Sequence, residues 1–274
     1  MSKIEDALKK AKENRSNISP VASTSGAVEA NSVVSGTSMS VVKKSASLIK
    51  LMRDEASAGE SELTSKGIIL QDSTNADVTD SFRFLRTQLL QKSKNGNFII
   101  LVTSCVEGAD SAFVSMNMGA AFSLDESKTS LVLDCDFQSD HFEEMLGLDY
   151  EAGLIDFLEG EAEIGDILKD IGIKRLRLIP SGHKHHIESE YFTTDRMKVL
   201  LDGIVERYQD RFVVLNSPAI SDSVDASILV DLVDYVVIVA PYAGVSTKEL
   251  EESIKKIDKS KLLGVVINDI PKWL

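Results

Sequence analysis

Residues 98–117 read Phe98-Ile-Ile-Leu-Val-Thr103-Ser-Cys-Val-Glu-Gly108-Ala-Asp110-Ser-Ala112-Phe-Val-Ser-Met-Asn117, and this stretch decides the fold. An apolar run of strand length, Phe98–Thr103, passes through an eight-residue loop, Ser104–Ser111, into a second apolar stretch of helical length, Ala112–Leu124. Working outward, the same alternation continues. Strands are expected at Ser130–Asp134, Leu176–Pro180, Phe212–Asn216, Tyr235–Ala240 and Leu263–Asn268. Helices are expected at Val78–Lys92, Arg196–Tyr208, Val224–Val233 and Lys248–Ile257. Short runs rich in Val, Ile and Leu suit strands covered on both faces. Alternating with helices, they predict a doubly wound, mostly parallel α/β sheet. In such sheets ligands bind at the carboxyl ends of the strands, which directs attention to the residues after Val102, Leu133 and Leu215.

Upstream of this domain, placed at residues 77–274, the pattern changes. Ser2 and Glu5 form a capping-box pair, and Ile4, Ala7, Leu8 and Ala11 fall on one helical face, so residues 1–15 read as a short helix. It has too few large apolar groups to stand alone and suits docking on a partner. Residues 16–76 read as a flexible, Ser-rich linker, with a helical patch around Leu48–Arg53. The formal net charge of the 274 residues is −13. Residues 1–66 hold 10 basic and 8 acidic side chains, so the excess lies in the main domain. An acidic domain argues against sequence-independent nucleic-acid binding, which needs Lys and Arg on the phosphates. The start lacks a signal-peptide pattern and no apolar run spans a bilayer, so a cytoplasmic chain is expected, with any membrane association through a partner. Cys105 and Cys135 have neither zinc nor redox spacing.

The loop Thr103–Ala112 has the position and length of a phosphate-binding loop. Such a loop needs glycines, a Lys for the terminal phosphates and a Ser or Thr for magnesium. Here Gly108 alone remains of the glycines, Ser111 stands at the Lys position and Ala112 at the hydroxyl position. Strand Ser130–Asp134 ends in Asp134-Cys-Asp136, two carboxylates able to touch magnesium and its waters, or to cap and turn the chain. The strand ending at Asn216 carries a neutral amide where a hydrolase places an Asp. The His183, His185 and His186 loop lacks an acidic or Cys partner at ligand spacing.

Region 77–270 resembles the cytoplasmic domain of bacterial tyrosine kinases, the P-loop autokinases of capsule and exopolysaccharide synthesis, in the wider MinD/ParA group. The stretches that carry this are Asp80-Ser-Phe-Arg83-Phe-Leu-Arg86-Thr87, Thr103 through Asn117, Leu133-Asp-Cys-Asp136, Gly153-Leu-Ile-Asp-Phe-Leu-Glu-Gly160, Leu178-Ile-Pro-Ser-Gly182, Asn216-Ser-Pro-Ala219 with Asp225, and Gly264-Val-Val-Ile-Asn268. The resemblance implies self-association through Asp80, Arg83 and Arg86. It also implies a remnant nucleotide site at Gly108, Ser111 and Asn268, and a remnant magnesium site at Asp134 and Asp136.

Departures from the family pattern carry the functional reading. Ala109, Asp110, Ser111, Ala112, Gln138 and Asn216 replace a Glu, a Gly, the Lys, the Ser/Thr, an Arg and an Asp, and the family's tyrosine-rich tail has no counterpart. A hydrogen bond to a charged group contributes about 1.5–3 kcal/mol. A like charge ~4 Å from phosphate costs roughly 4 kcal/mol at an effective dielectric of ~20. The expectation is a degenerate, pseudokinase-like protein with no catalytic residues and no cofactor. It would serve exopolysaccharide or capsule assembly by binding an active tyrosine kinase or a membrane chain-length regulator, or by forming a homo-oligomer. The alternative is an atypical ATP- and magnesium-binding autokinase or ATPase. A third reading is a MinD/ParA-like positioning factor.

Overall fold

The computed structural model describes residues 59–71, 76–93, 97–182, 191–207 and 210–271. The expected 1–15 helix, most of the linker, the Leu48–Arg53 patch and the histidine loop lie outside the described residues. Six strands form one sheet: β1 (Ile99–Ser104), β2 (Thr129–Asp134), β3 (Leu176–Ile179), β4 (Arg211–Asn216), β5 (Tyr235–Pro241) and β6 (Leu262–Asn268). All neighbours are parallel, in the order β3-β2-β4-β1-β5-β6. The helices among the described residues are α1 (Glu60–Ser65), α2 (Ala76–Lys92), α3 (Ser111–Ser123), α4 (His141–Leu146), α5 (Leu154–Glu159), α6 (Ile164–Ile167), α7 (Asp195–Arg207), α8 (Val224–Leu232) and α9 (Thr247–Lys255).

The period of two along each strand explains the layering. Ile100, Val102, Val132, Val214, Val237 and Val239 point to one face, where α2 and α3 cover them with Phe82, Leu89, Val114, Met118 and Phe122. Ile99, Leu101, Leu131, Leu133, Val213, Leu215, Val236 and Ile238 point to the other, against Leu154 of α5, Met197 and Leu200 of α7 and Leu229 of α8. Over β1 to β5 both faces are therefore largely buried, as the apolar runs predicted, whereas β6 leaves Val265 and Ile267 exposed. Helix α3 sits so close to β2 that a Cβ at Gly119 would lie 2.5 Å from a Val132 methyl. Phe98, Phe122 and Phe212 close the amino end of the sheet, with Phe122 and Phe212 stacked at 4.4 Å.

The predicted strands, and helices α2, α3, α7, α8 and α9, agree with the structure to within two residues or so. The expected linker is corrected at its carboxyl end. Glu60–Ser65 is helical, and Leu63, Ile68 and Ile69 are fully buried in the α2/α3 core. The Ile69 amide donates to Asn117 Oδ1 at 2.8 Å, which fixes this segment on α3. Three apolar side chains and one buried hydrogen bond outweigh the Ser-rich composition that read as unstructured.

Candidate functional site

Placing β4 between β2 and β1 decides which residues meet. Asn216 is in register with Asp134 on one side and Val102 on the other, so the ends of β2 and β4 converge beside the loop leaving β1. The loop turns at Gly108 (φ +78°), where no atom lies within 4 Å of an added Cβ, so the glycine is needed for its backbone angle rather than for close packing. Asp110 is also left-handed (φ 57°, ψ 52°) and is the N-cap of α3. Its Oδ1 accepts from the Phe113 amide at 3.2 Å. The anion that the sequence placed beside the phosphate position thus lies on one of the helix-start amides that would face a phosphate. Desolvation pushes the Asp110 carboxyl above the usual range, against the pull of the Phe113 amide; Asp269 adds to the rise and His141 opposes it.

The other replaced positions are tied to one another. The Ser111 hydroxyl donates to the Ser217 carbonyl at 3.3 Å. Ala112 is buried in the core and offers no ligand atom. Asn216 donates through Nδ2 to Asp134 Oδ1 at 2.9 Å and accepts from the Ser115 hydroxyl at 3.4 Å. Asp134 Oδ1 also receives the Asp136 amide at 3.1 Å, and Asp136 Oδ1 receives the Gln138 amide at 3.2 Å. Asp134 and Asp136 therefore act here as turn and strand-end acceptors. Asp134 is wholly buried, and its Oδ2 has no hydrogen-bond partner. Burial holds its carboxyl well above the usual range, opposed by Asn216 and the Asp136 amide and reinforced by Asp136 and Glu143. Asp225, at the start of α8, is raised by desolvation and by Asp136. Among the described residues no group of three or more His, Cys, Asp or Glu is arranged to hold a metal ion.

Asn268 ends β6, and the charge of the next residue, Asp269, is felt at Asp110, so the last strand finishes beside the loop. The Asn268 carbonyl accepts from the Tyr242 amide at 2.8 Å, whereas its Nδ2 has no partner. On α2, Asp80 and Arg83 form an exposed pair at 3.5 Å next to Phe84, which is 66% exposed. Arg86 is different: its Nη1 donates to the Ala121 carbonyl of α3 at 2.7 Å, so it joins two helices of the same chain. Two participants escaped the sequence reading, Ser115 and Ser217. Ser115 lies four residues after Ser111, one helical turn on the same face, and that spacing was the available signal.

The order of strands, the loop between β1 and α3, and the carboxylates at the end of β2 define a doubly wound domain of the P-loop NTPase type. The MinC:MinD cell division complex of Aquifex aeolicus shares the fold, with a TM-score of 0.50 and 23% identity, covering 64% of this chain and 69% of that one. The kinase domain of Escherichia coli tyrosine kinase ETK superposes with a TM-score of 0.68 at 22% identity, covering 76% of this chain and 82% of that one. In sequence, the chain is 30% identical over 194 residues to tyrosine-protein kinase wzc of Salmonella typhi, across 70% of this chain and 27% of the relative. No family model matches. The chain belongs to the bacterial tyrosine kinase family, and it spans about a quarter of the length of the relatives it matches. No helix among the described residues is long and apolar enough to cross a membrane.

Proposed function

We propose that this chain is a non-catalytic member of its family, acting in exopolysaccharide or capsule assembly by binding an active tyrosine kinase or the cytoplasmic end of a membrane chain-length regulator. The observation that carries this reading is Asp110, whose carboxylate caps α3 at the place a phosphate would take. Phosphoryl transfer rests on positioning and on neutralising charge. At the Lys position Ser111 is held by a carbonyl, at the magnesium position Ala112 is buried, and Asn216 is bonded to Asp134. The exposed Asp80–Arg83 pair and Phe84 on α2 supply a surface for a kinase subunit or for self-association. The domain boundaries proposed with this reading are a docking helix at 1–15 and a tether that ends before the ordered Gly59 segment.

Calorimetry with Mg-ATP tests the proposal. No saturable heat is expected from the unaltered chain up to about 1 mM nucleotide. Binding should return on combining Asp110→Gly, Ser111→Lys, Ala112→Ser and Asn216→Asp. Magnesium-dependent saturation by the unaltered chain, or transfer of γ-phosphate to any of its tyrosines, overturns it. Those outcomes would favour the second reading, an atypical ATP-binding kinase or ATPase, which the unpartnered Asp134 Oδ2 and Asn268 Nδ2 support as surviving ligand atoms.

A further inference from the structure

A cavity of about 460 Å³ lies at the end of the sheet away from the phosphate loop. Helix α1 and the segment after it form one wall, the turn Gly172–Arg175 before β3 forms another, and the end of α3 closes it at Ser123 and Leu124. Ser111 begins α3 and Ser123 ends it, about 18 Å apart along the axis at ~1.5 Å per residue. The cavity is therefore separate from the site at the ends of β2 and β4. Its volume is that of a small-molecule site.

Arg175 is fixed in this cavity from several sides. Its backbone is left-handed (φ 63°), a conformation that costs a non-glycine residue about 1 kcal/mol or more. Its carbonyl accepts from the Ser130 amide at 2.9 Å, and its Nε donates to the Ser123 carbonyl at 3.0 Å, so backbone and side chain are both held. Its Nη1 and Nη2 have no partner among the described residues, and neither Arg175 nor the exposed Lys174 beside it forms an ion pair with them. A guanidinium held in this way is a prepared fork for a carboxylate or a phosphate. Helix α1 presents the opposite chemistry. The Thr64 hydroxyl donates to the Glu60 carbonyl at 2.8 Å and the Ser65 hydroxyl to the Glu62 carbonyl at 2.7 Å, which directs both protons into the helix and leaves lone pairs as acceptors. The Glu60 carboxylate on the same wall is a further acceptor. Ile69, Leu124 and Ile173 supply the apolar part of the lining.

A ligand that matches both walls carries one anionic group and several O–H donors on a compact body. We infer that this cavity binds a small sugar acid, a sugar phosphate or a uronate, with its anionic group on Arg175 and Lys174 and its hydroxyls toward Thr64, Ser65 and Glu60. An apolar ligand would leave these groups unmatched, and a bare anion would meet Glu60 without using the acceptors. The inference does not depend on whether the phosphate loop binds nucleotide.

Nuclear magnetic resonance of the isotope-labelled full chain, titrated with glucose-1-phosphate and with glucuronate, tests this. At least one should saturate with a Kd of about 1 mM or tighter, shifting the amides of Thr64, Leu124 and Arg175 and leaving those of Gly108 to Ala112 in place; the pair also shows which anionic group the fork prefers. Lys174→Gln, at an exposed side chain, should weaken binding several-fold, and Arg175→Gln about tenfold or more. Glucose and inorganic phosphate should each bind at least about tenfold more weakly. Failure of both sugar acids to saturate by ~10 mM, shifts centred on the phosphate loop, indifference to both substitutions, or inorganic phosphate binding as tightly as either sugar acid (an adventitious ion only) overturns the inference.

Discussion

Asp110 shows how one side chain alters the meaning of a loop. It adopts a left-handed backbone that Asp tolerates better than most residues, and its carboxylate supplies the cap that α3 lacks elsewhere. Asp110→Ala should cost about 1–2 kcal/mol in urea unfolding, from the lost cap and the unsuited angle, and Asp110→Gly only a few tenths. Equal losses from the two would contradict this account. Asp134 makes a second prediction, through its buried Oδ2. Its folded-state pKa is raised, so the folded chain holds a proton that the unfolded chain releases, and stability falls as pH rises from the ordinary Asp range through the raised value. Asp134→Asn removes that dependence while keeping an acceptor for Asn216. The variant should gain over the native chain at pH 8 and lose the advantage near pH 4, as read by thermal melts. The replaced residues were legible in sequence because the loop has a known length. Where Asp110 turns, and that Ser115 and Ser217 bridge the gaps, required rotamers and strand register.

At the scale of elements, legibility followed length. Helices of nine to seventeen residues are long enough to read, α2 by its period through Phe82, Leu85, Leu89 and Leu90, and α3, buried almost all round, by its apolar run alone. Helices α1, α4, α5 and α6 have four to six residues, less than two turns, and leave no periodic trace. The segment around α1 was hidden further by the serines before it. It is nonetheless part of the core, and Leu63→Ala should cost about 2–5 kcal/mol. A near-neutral effect in chemical denaturation would restore the linker reading for these residues. On α2 the family resemblance marked Arg86 for self-association, and in the folded chain its guanidinium bonds the Ala121 carbonyl near the carboxyl end of α3.

The whole molecule is set by strand order, which composition and periodicity do not reveal. The alternation of strands and helices pointed to a parallel sheet, but the placement of β4 between β2 and β1 came from packing alone. That order makes the site from residues far apart in the chain, with Asn216 and Asp134 separated by 82 positions. It also governs how the protein is born. During synthesis β1 and β2 emerge early, yet neither touches the other in the finished sheet, and both wait for Arg211–Asn216 to leave the ribosome before the gap between them closes. A nascent chain of this topology carries two unpaired, six-residue strand edges for more than seventy residues of elongation, so its window for misassociation is written into the ordering of its strands.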